Sequence, residues 1–191
     1  MRPLQDIVHL KKKLLMNLLG QLRNLQKMIN ISFIGMAACG KSTIGKAVAN
    51  KIGVSFVDTD LLIEQKHAAT LEEIKNKYDY KFVRNEEEKV ILGLNSSNRI
   101  ISTGGSAVYS AKSMEHLKKF SKVIYINTPL EIIMERIDID QKRGLAVPEG
   151  MSIPEIYSER EPMYQKYCDT ILDGSKTIDQ LVGETIKQLH E

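Results

Sequence analysis

Short apolar runs alternate along this chain with longer stretches in which apolar positions recur every three or four residues. The runs Ile31–Ile34, Val54–Val57, Arg99–Ser102, Lys122–Asn127 and Thr170–Leu172 are rich in β-branched and aromatic residues and read as strands. Helical spacing fills the intervals: Ile44–Lys51, Leu61–His67, Leu71–Tyr78, Phe82–Leu94, Met114–Phe120, a helix opening at Thr128, Ile156–Tyr167 and Ile178–Leu189. Thr70 followed by Glu73, and Thr128 followed by Pro129 and Glu131, mark two of the starts, because they suit the unpaired amides of a first turn. Strands that alternate with helices predict an α/β fold, a five-stranded parallel sheet covered by helices on both faces.

Two segments stand outside this alternation. From Leu4 to Ile29 the positions Leu4, Val8, Leu15, Leu18, Leu22, Leu25 and Ile29 describe an amphipathic helix, so residues 1–29 read as an extension and 30–191 as the main domain. The helix has three readings: packing on a partner, on its own domain or in self-association; lying on a membrane surface; or sequence upstream of a start at Met28. Past Arg136 the periodicity fails, and Asp138–Pro154, with Gly144, Pro148, Gly150 and Pro154, has the composition of a long mobile loop, a lid at about 138–153.

Charge and composition narrow the classes. The chain has 191 residues, 42% apolar and 27% charged, enough for one well-buried core. Its net charge of +3 is concentrated at the start: residues 1–30 hold six basic residues against Asp6, and the rest is slightly acidic. The body therefore gives no reason to invoke nucleic acid. Two cysteines, Cys39 and Cys168, make no disulfide framework and fit a reducing cytoplasm. No apolar run approaches the roughly 20 residues that cross a bilayer, and the four histidines are scattered without metal-ligand spacing.

The candidate chemistry begins at Gly35–Thr43, GMAACGKST, between the first strand and the first helix of the domain. Gly35, four residues, then Gly40, Lys41 and Ser42 is the phosphate-loop spacing: backbone amides of Gly35, Ala38, Cys39, Gly40, Lys41, Ser42 and Thr43 and the helix N-terminus can surround a phosphate chain. Lys41 would reach the outer phosphates of ATP and the Ser42 hydroxyl would ligate Mg²⁺. Asp58 and Asp60 follow the second strand and, two apart, project to one side of an extended chain. One would help hold hydrated Mg²⁺ while the other takes a hydrogen bond from an acceptor hydroxyl; the alternative is a strand-to-helix turn with Asp60 as N-cap. Cys39, a thiol among inward-facing amides, is either a reactive thiolate or a small residue that fits.

These motifs, with FVDTD at Phe56–Asp60, FVRNEE at Phe82–Glu87, ISTGGSAV at Ile101–Val108, KRGLA at Lys142–Ala146 and REPMY at Arg160–Tyr164, make the chain from about Asn30 to Leu189 resemble the shikimate kinases, small phosphate-loop NTPases of the nucleoside-monophosphate-kinase-like group. The resemblance implies an ATP- and Mg²⁺-dependent kinase that phosphorylates shikimate. It implies that Asp58 assists the metal site, Asp60 binds and orients the substrate hydroxyls, and Gly104 and Gly105 lie against the ring. It further implies that Arg143 closes over ATP, Arg136 lies near the adenine and Arg160 pairs with the substrate carboxylate.

Three positions depart from the family pattern. Val83 stands where an arginine is expected as a second carboxylate partner, and Arg84, one step further on a helix, is turned by about 100°. A lost charge-assisted bond of roughly 1.5 to 3 kcal/mol would weaken acceptor binding about 10- to 150-fold. Ser106 replaces a third glycine, and Gly144 replaces a lid proline, which should loosen the lid. Two other functions stay open on the residues: a related kinase for another hydroxylated carboxylate such as a sugar acid, and a non-catalytic nucleotide-binding regulator.

Overall fold

The computed structural model describes residues 29–139, 146–148 and 150–189. The expected helix over 4–29, except for Ile29 at its end, lies outside the described residues, as do Arg143 and Gly144.

Strands β1 (Asn30–Ile34), β2 (Ser55–Asp58), β3 (Arg99–Ser102), β4 (Lys122–Asn127) and β5 (Thr170–Asp173) form one parallel sheet in the order β2-β3-β1-β4-β5. Every residue of β1 is buried, since β3 flanks it on one side and β4 on the other. That burial explains its unbroken apolar character, typical of a strand covered on both faces. All strands run the same way, so the loops leaving β1, β2 and β3 open along one edge of the sheet. The β2–β3 register sets Asp58 beside Ser102 at that edge.

Helix α1 (Lys41–Ile52) starts directly from Gly40, whose φ of 102° is left-handed. Helix α2 (Thr59–His67) follows β2 without a loop, and its N-cap is Asp58, whose Oδ1 accepts from the Asp60 amide at 3.0 Å. The capping residue is thus Asp58 and not Asp60, which leaves the Asp60 carboxyl free of the helix end. Helix α3 (Leu71–Lys77) carries the capping box of Thr70 and Glu73 expected from the sequence.

Helix α4 (Tyr80–Leu92) begins earlier than its periodicity indicates, because the Asp79 carboxylate accepts from the Phe82 amide at 2.7 Å. After β3 comes a single 3₁₀ turn, Ala107–Tyr109, too short to leave a periodic signal, and then α5 (Ala111–Lys118). Helices α6 (Leu130–Ile139), α7 (Ile153–Tyr167) and α8 (Ile178–Lys187) complete the fold. The expected loop at 138–154 is shorter at both ends: α6 runs to Ile139, and Ser152 caps α7 so that Pro154 falls in its first turn. A proline there costs nothing, since that amide has no partner within the helix.

Two apolar clusters result. The main one joins Ile31, Phe33, Ile100, Ile101, Val123, Ile124 and Ile126 of the sheet to Ile44 and Val48 of α1. Each such side chain contributes about 1.5 to 3 kcal/mol on burial. The second is small, Ile63, Ile74, Val83 and Ala146, and ties α2, α3 and α4 to the arm leading into α7. It lies under one half of the cleft described next.

Candidate active site

A cavity of about 930 Å³ lies along the C-terminal edge of the sheet, and Ala38, Cys39, Gly40, Lys41, Ser42, Thr43, Asp58, Asp60, Gly105, Arg136 and Arg160 all line it. Residues 120 positions apart in sequence thus face the same space. At one end the Gly35–Thr43 loop turns through three left-handed residues, Gly35, Ala38 and Gly40, with φ of 145°, 62° and 102°. A side chain at Gly35 would stand 2.9 Å from both the Cys39 Sγ and the Ile126 carbonyl, so the loop can lie this close to the sheet only with glycine there. The Lys41 ammonium donates to the carbonyls of Gly35 at 2.8 Å and Met36 at 2.7 Å, bracing the loop from within. Cys39 is 1% exposed, which favours the reading of a small residue that fits over a thiol open to reagents.

Next to the loop, the Ser42 hydroxyl donates to Asp58 Oδ2 at 2.6 Å and lies 3.2 Å from the Ser102 hydroxyl. This set is all oxygen. Asp58 therefore caps α2 with one oxygen and receives Ser42 with the other. Arg136 of α6 flanks the far side of the loop, its Nη1 donating to the Ala38 carbonyl at 3.1 Å.

The opposite end is built from side chains far apart in sequence. Asp60 faces the cavity from α2, and burial, with repulsion from Glu87 and Asp58, pushes its carboxyl up to about 7 against the pull of Lys41. Glu87 of α4 is buried, and burial raises its carboxyl too, opposed by a hydrogen bond from Ser106 and by Arg160, Lys41 and Arg84. Between these acids runs the glycine turn: a Cβ at Gly104 would collide with Asp60 Oδ1 and stand 2.5 Å from Glu87 Oε1. At Gly105 it would stand 3.1 Å from Arg160 Nη1. Both glycines serve close approach.

Arg160, 1% exposed, donates through Nη2 to the Ala146 carbonyl at 3.2 Å, and the Arg84 Nε donates to the same oxygen at 3.1 Å. Both guanidiniums lie against Tyr109, with their carbons 5.2 Å and 3.6 Å from the ring centre. A second arginine thus stands beside Arg160 although Val83 occupies the position where one was expected. Val83 faces the small apolar cluster, and the phase of α4 brings Arg84 to Arg160. Arg84 does not line the large cavity; it faces an adjoining hollow of about 310 Å³, separated from the cavity by Glu87 and Ser106, which line both.

Sequence reasoning missed four contributors. Tyr109 receives the arginines, and the Ala146 carbonyl marks where they converge. Tyr164 donates to the Gly105 carbonyl at 2.6 Å and so holds the glycine turn. Glu87 had a signal: Val83, Glu87 and Ile91 fall four apart, which puts a carboxylate in an apolar stripe.

A phosphate loop, an acidic strand end and a buried arginine, Arg160, around one cleft define a phosphate-loop kinase for a small anionic acceptor. The sequence profile of the shikimate kinase family matches residues 37–190. A shikimate kinase of Clostridium botulinum strain Eklund 17B is 36% identical over 157 residues, 82% of this chain and 94% of its own. One from Thermoanaerobacter pseudethanolicus is 36% identical over 165 residues, 84% and 95%. Among solved structures, the shikimate kinase of Acinetobacter baumannii in complex with shikimate superposes with a TM-score of 0.79 at 27% identity, covering 87% of this chain and 96% of that one. The shikimate kinase of Aquifex aeolicus gives 0.73 at 26%, covering 85% and 96%. The chain belongs to the shikimate kinase family.

Proposed function

We propose that the chain carries out its family's reaction, transfer of the γ-phosphoryl group of ATP to a hydroxyl of shikimate, with the 30–191 body as the kinase domain. The observation that carries this reading is the sharing of one cavity by Lys41, Asp60 and Arg160. Phosphoryl transfer asks a protein mainly for positioning and charge neutralisation. The amides of Gly35–Thr43 cradle the phosphates, and Lys41 leaves its loop carbonyls to meet the transferred group. Arg136 borders the nucleotide base. Arg160, with Arg84 beside it, receives the acceptor carboxylate in place of the Ala146 carbonyl.

The Asp60 carboxyl aligns the attacking oxygen, and its raised proton affinity suits it to take the proton as the new bond forms. Gly104 and Gly105 leave room for the ring. Arg143 is assigned to the transition-state charge on the resemblance of its KRGLA motif, and the lid to exclusion of water.

The donor set at Ser42 and Asp58 fits Mg²⁺, which prefers hard oxygen ligands and shares them with phosphates. Among the described residues no cluster of three or more His, Cys, Asp or Glu could hold a metal by itself. Bound there, Mg²⁺ would neutralise phosphate charge. No helix among the described residues is long and apolar enough to cross a membrane. We assign the chain to the cytoplasm on its two free cysteines.

Purified chain with Mg-ATP and shikimate should release ADP, and Asp60→Asn should lower turnover at least about a hundredfold with ADP affinity kept. ADP release with gluconate and none with shikimate would transfer the reading to a sugar-acid kinase. No acceptor-dependent release from either would remove the catalytic reading.

A further inference from the structure

Tyr109 has no part in the mechanism above, yet both arginines of the acceptor end lie against it. Its backbone is fixed by the 3₁₀ turn after β3: the Tyr109 amide donates to the Ser106 carbonyl at 3.0 Å, and the Ser110 amide to that of Ala107 at 3.1 Å. The side chain is half-buried, and among the described residues it belongs to neither apolar cluster. What it packs against is charge. The Arg84 guanidinium carbon lies 3.6 Å from the ring centre and that of Arg160 5.2 Å, and Arg160 Nε donates to the Tyr109 hydroxyl at 3.4 Å.

Both guanidiniums donate to one oxygen, so their like charges stand close and repel. Among the described residues no carboxylate comes within ion-pair distance of either, and Glu87 attracts them only from further off. The Ala146 carbonyl that they share occupies the place of the acceptor's carboxylate, so it leaves when that group arrives. The Tyr80 ring, 4.9 Å from the Arg84 carbon, reaches one guanidinium alone. The Tyr109 ring, whose face is the negative side of its quadrupole, is near both and stays when the carbonyl has gone.

We propose that Tyr109 is a positioning residue for acceptor binding: its ring holds the Arg84 and Arg160 guanidiniums together, so that the acceptor's carboxylate meets a pair already gathered. Without the ring, Arg84 is free to turn into the adjoining hollow, where Glu88 draws it, and the carboxylate meets Arg160 alone. The proposal rests on the shikimate kinase reading above, and the two can fail separately.

The test is steady-state kinetics with Mg-ATP on wild type, Tyr109→Phe and Tyr109→Leu, using shikimate and its methyl ester, which lacks the carboxylate charge. Tyr109→Leu should raise the KM for shikimate about tenfold, with kcat changed less and ADP affinity unchanged. Tyr109→Phe keeps the face and gives up only the long bond to the hydroxyl, and should stay within about threefold of wild type. For the methyl ester the wild-type and Tyr109→Leu KM values should nearly coincide. In an Arg84→Met background the Tyr109→Leu step should cost much less, as for two residues acting through one interaction. Progressive ring fluorination of the Tyr109→Phe side chain drains the face of negative charge at nearly constant size, and should raise the shikimate KM stepwise even if the leucine variant does not fold. A KM flat across that series, an unchanged shikimate KM in a folded, ADP-binding Tyr109→Leu protein, or an equal rise for the methyl ester would overturn the proposal while leaving the kinase reading intact. Wild type inactive on shikimate would remove both.

Discussion

The two ends of the cleft are built by different physics. The nucleotide end is a single loop of contiguous residues resting on a fully buried central strand, with its lysine hydrogen-bonded to carbonyls five and six residues away. The acceptor end draws Asp60 from α2, Glu87 from α4, Gly104, Ser106 and Tyr109 from the segment after β3, and Arg160 from α7, and it stands on a small cluster with Ile63, Ile74, Val83 and Ala146 at its centre. One end is rigid by local geometry and a large core. The other is held by a web of buried charges, which fixes direction well and adds less stability, since desolvation offsets much of the attraction. A kinase gains from this division, because the phosphate chain is common to all nucleotides while the acceptor must be chosen.

Paired glycine substitutions give the sharpest test of the contrast. Gly35→Ala forces a β-carbon against Cys39 and Ile126 at a φ of 145°, and should lower ADP affinity about a hundredfold or more by calorimetry. Gly104→Ala drives its β-carbon into Asp60 and Glu87, and should raise the KM for shikimate by a similar factor while ADP affinity stays within about twofold. Equal loss of both affinities in either variant would mean that the two ends are one unit.

Core truncations should separate the halves by stability. Ile124→Ala in the sheet should cost about 4 kcal/mol in urea unfolding, and Ile74→Ala in the small cluster about 2 kcal/mol, because the smaller cluster can collapse onto the gap. Ile74→Ala should also raise the shikimate KM, with ADP binding spared. A larger loss from Ile74 than from Ile124 would reverse the ranking.

The smallest expected effect is on pH dependence. Glu86 on α4 is buried and accepts from Lys66, Lys89 and His67 at 2.5, 2.7 and 2.9 Å, and these bonds, the lysines foremost, hold its carboxyl down to about 2. Its contribution is fully present above the ordinary carboxylate value of 4.5 and is lost as pH falls toward 2. Wild type should therefore lose urea resistance between pH 5 and about 2, and Glu86→Gln should be weaker at pH 7 with a flatter decline. Parallel declines would assign the acid sensitivity to other carboxylates.

The contrast between the ends also separates what was legible in the chain from what was not. The phosphate loop, the Thr70–Glu73 capping box and the apolar runs of the strands rest on residues a few positions apart, so their interactions are written in local spacing. The choice of Asp58 over Asp60 as N-cap, and the start of α4 two residues before Phe82, are settled at element ends, where a single side chain, Asp58 or Asp79, decides. Val83 and Arg84 were a different matter. Both are helical in any reading, and which of them faces inward was set by Ile63, Ile74 and Ala146 from other elements.

By itself the sequence determined the alternation of strand and helix, the phosphate-binding loop, and the acids and arginines available for chemistry. Tertiary structure alone decided that Arg84 meets Arg160 at one carbonyl, that Tyr164 fixes the glycine turn, and that Glu87 is buried with one oxygen held by Ser106. The reason is range: a turn or a cap is satisfied by neighbours in the chain, whereas a buried charge is tolerated only where distant elements supply its partners.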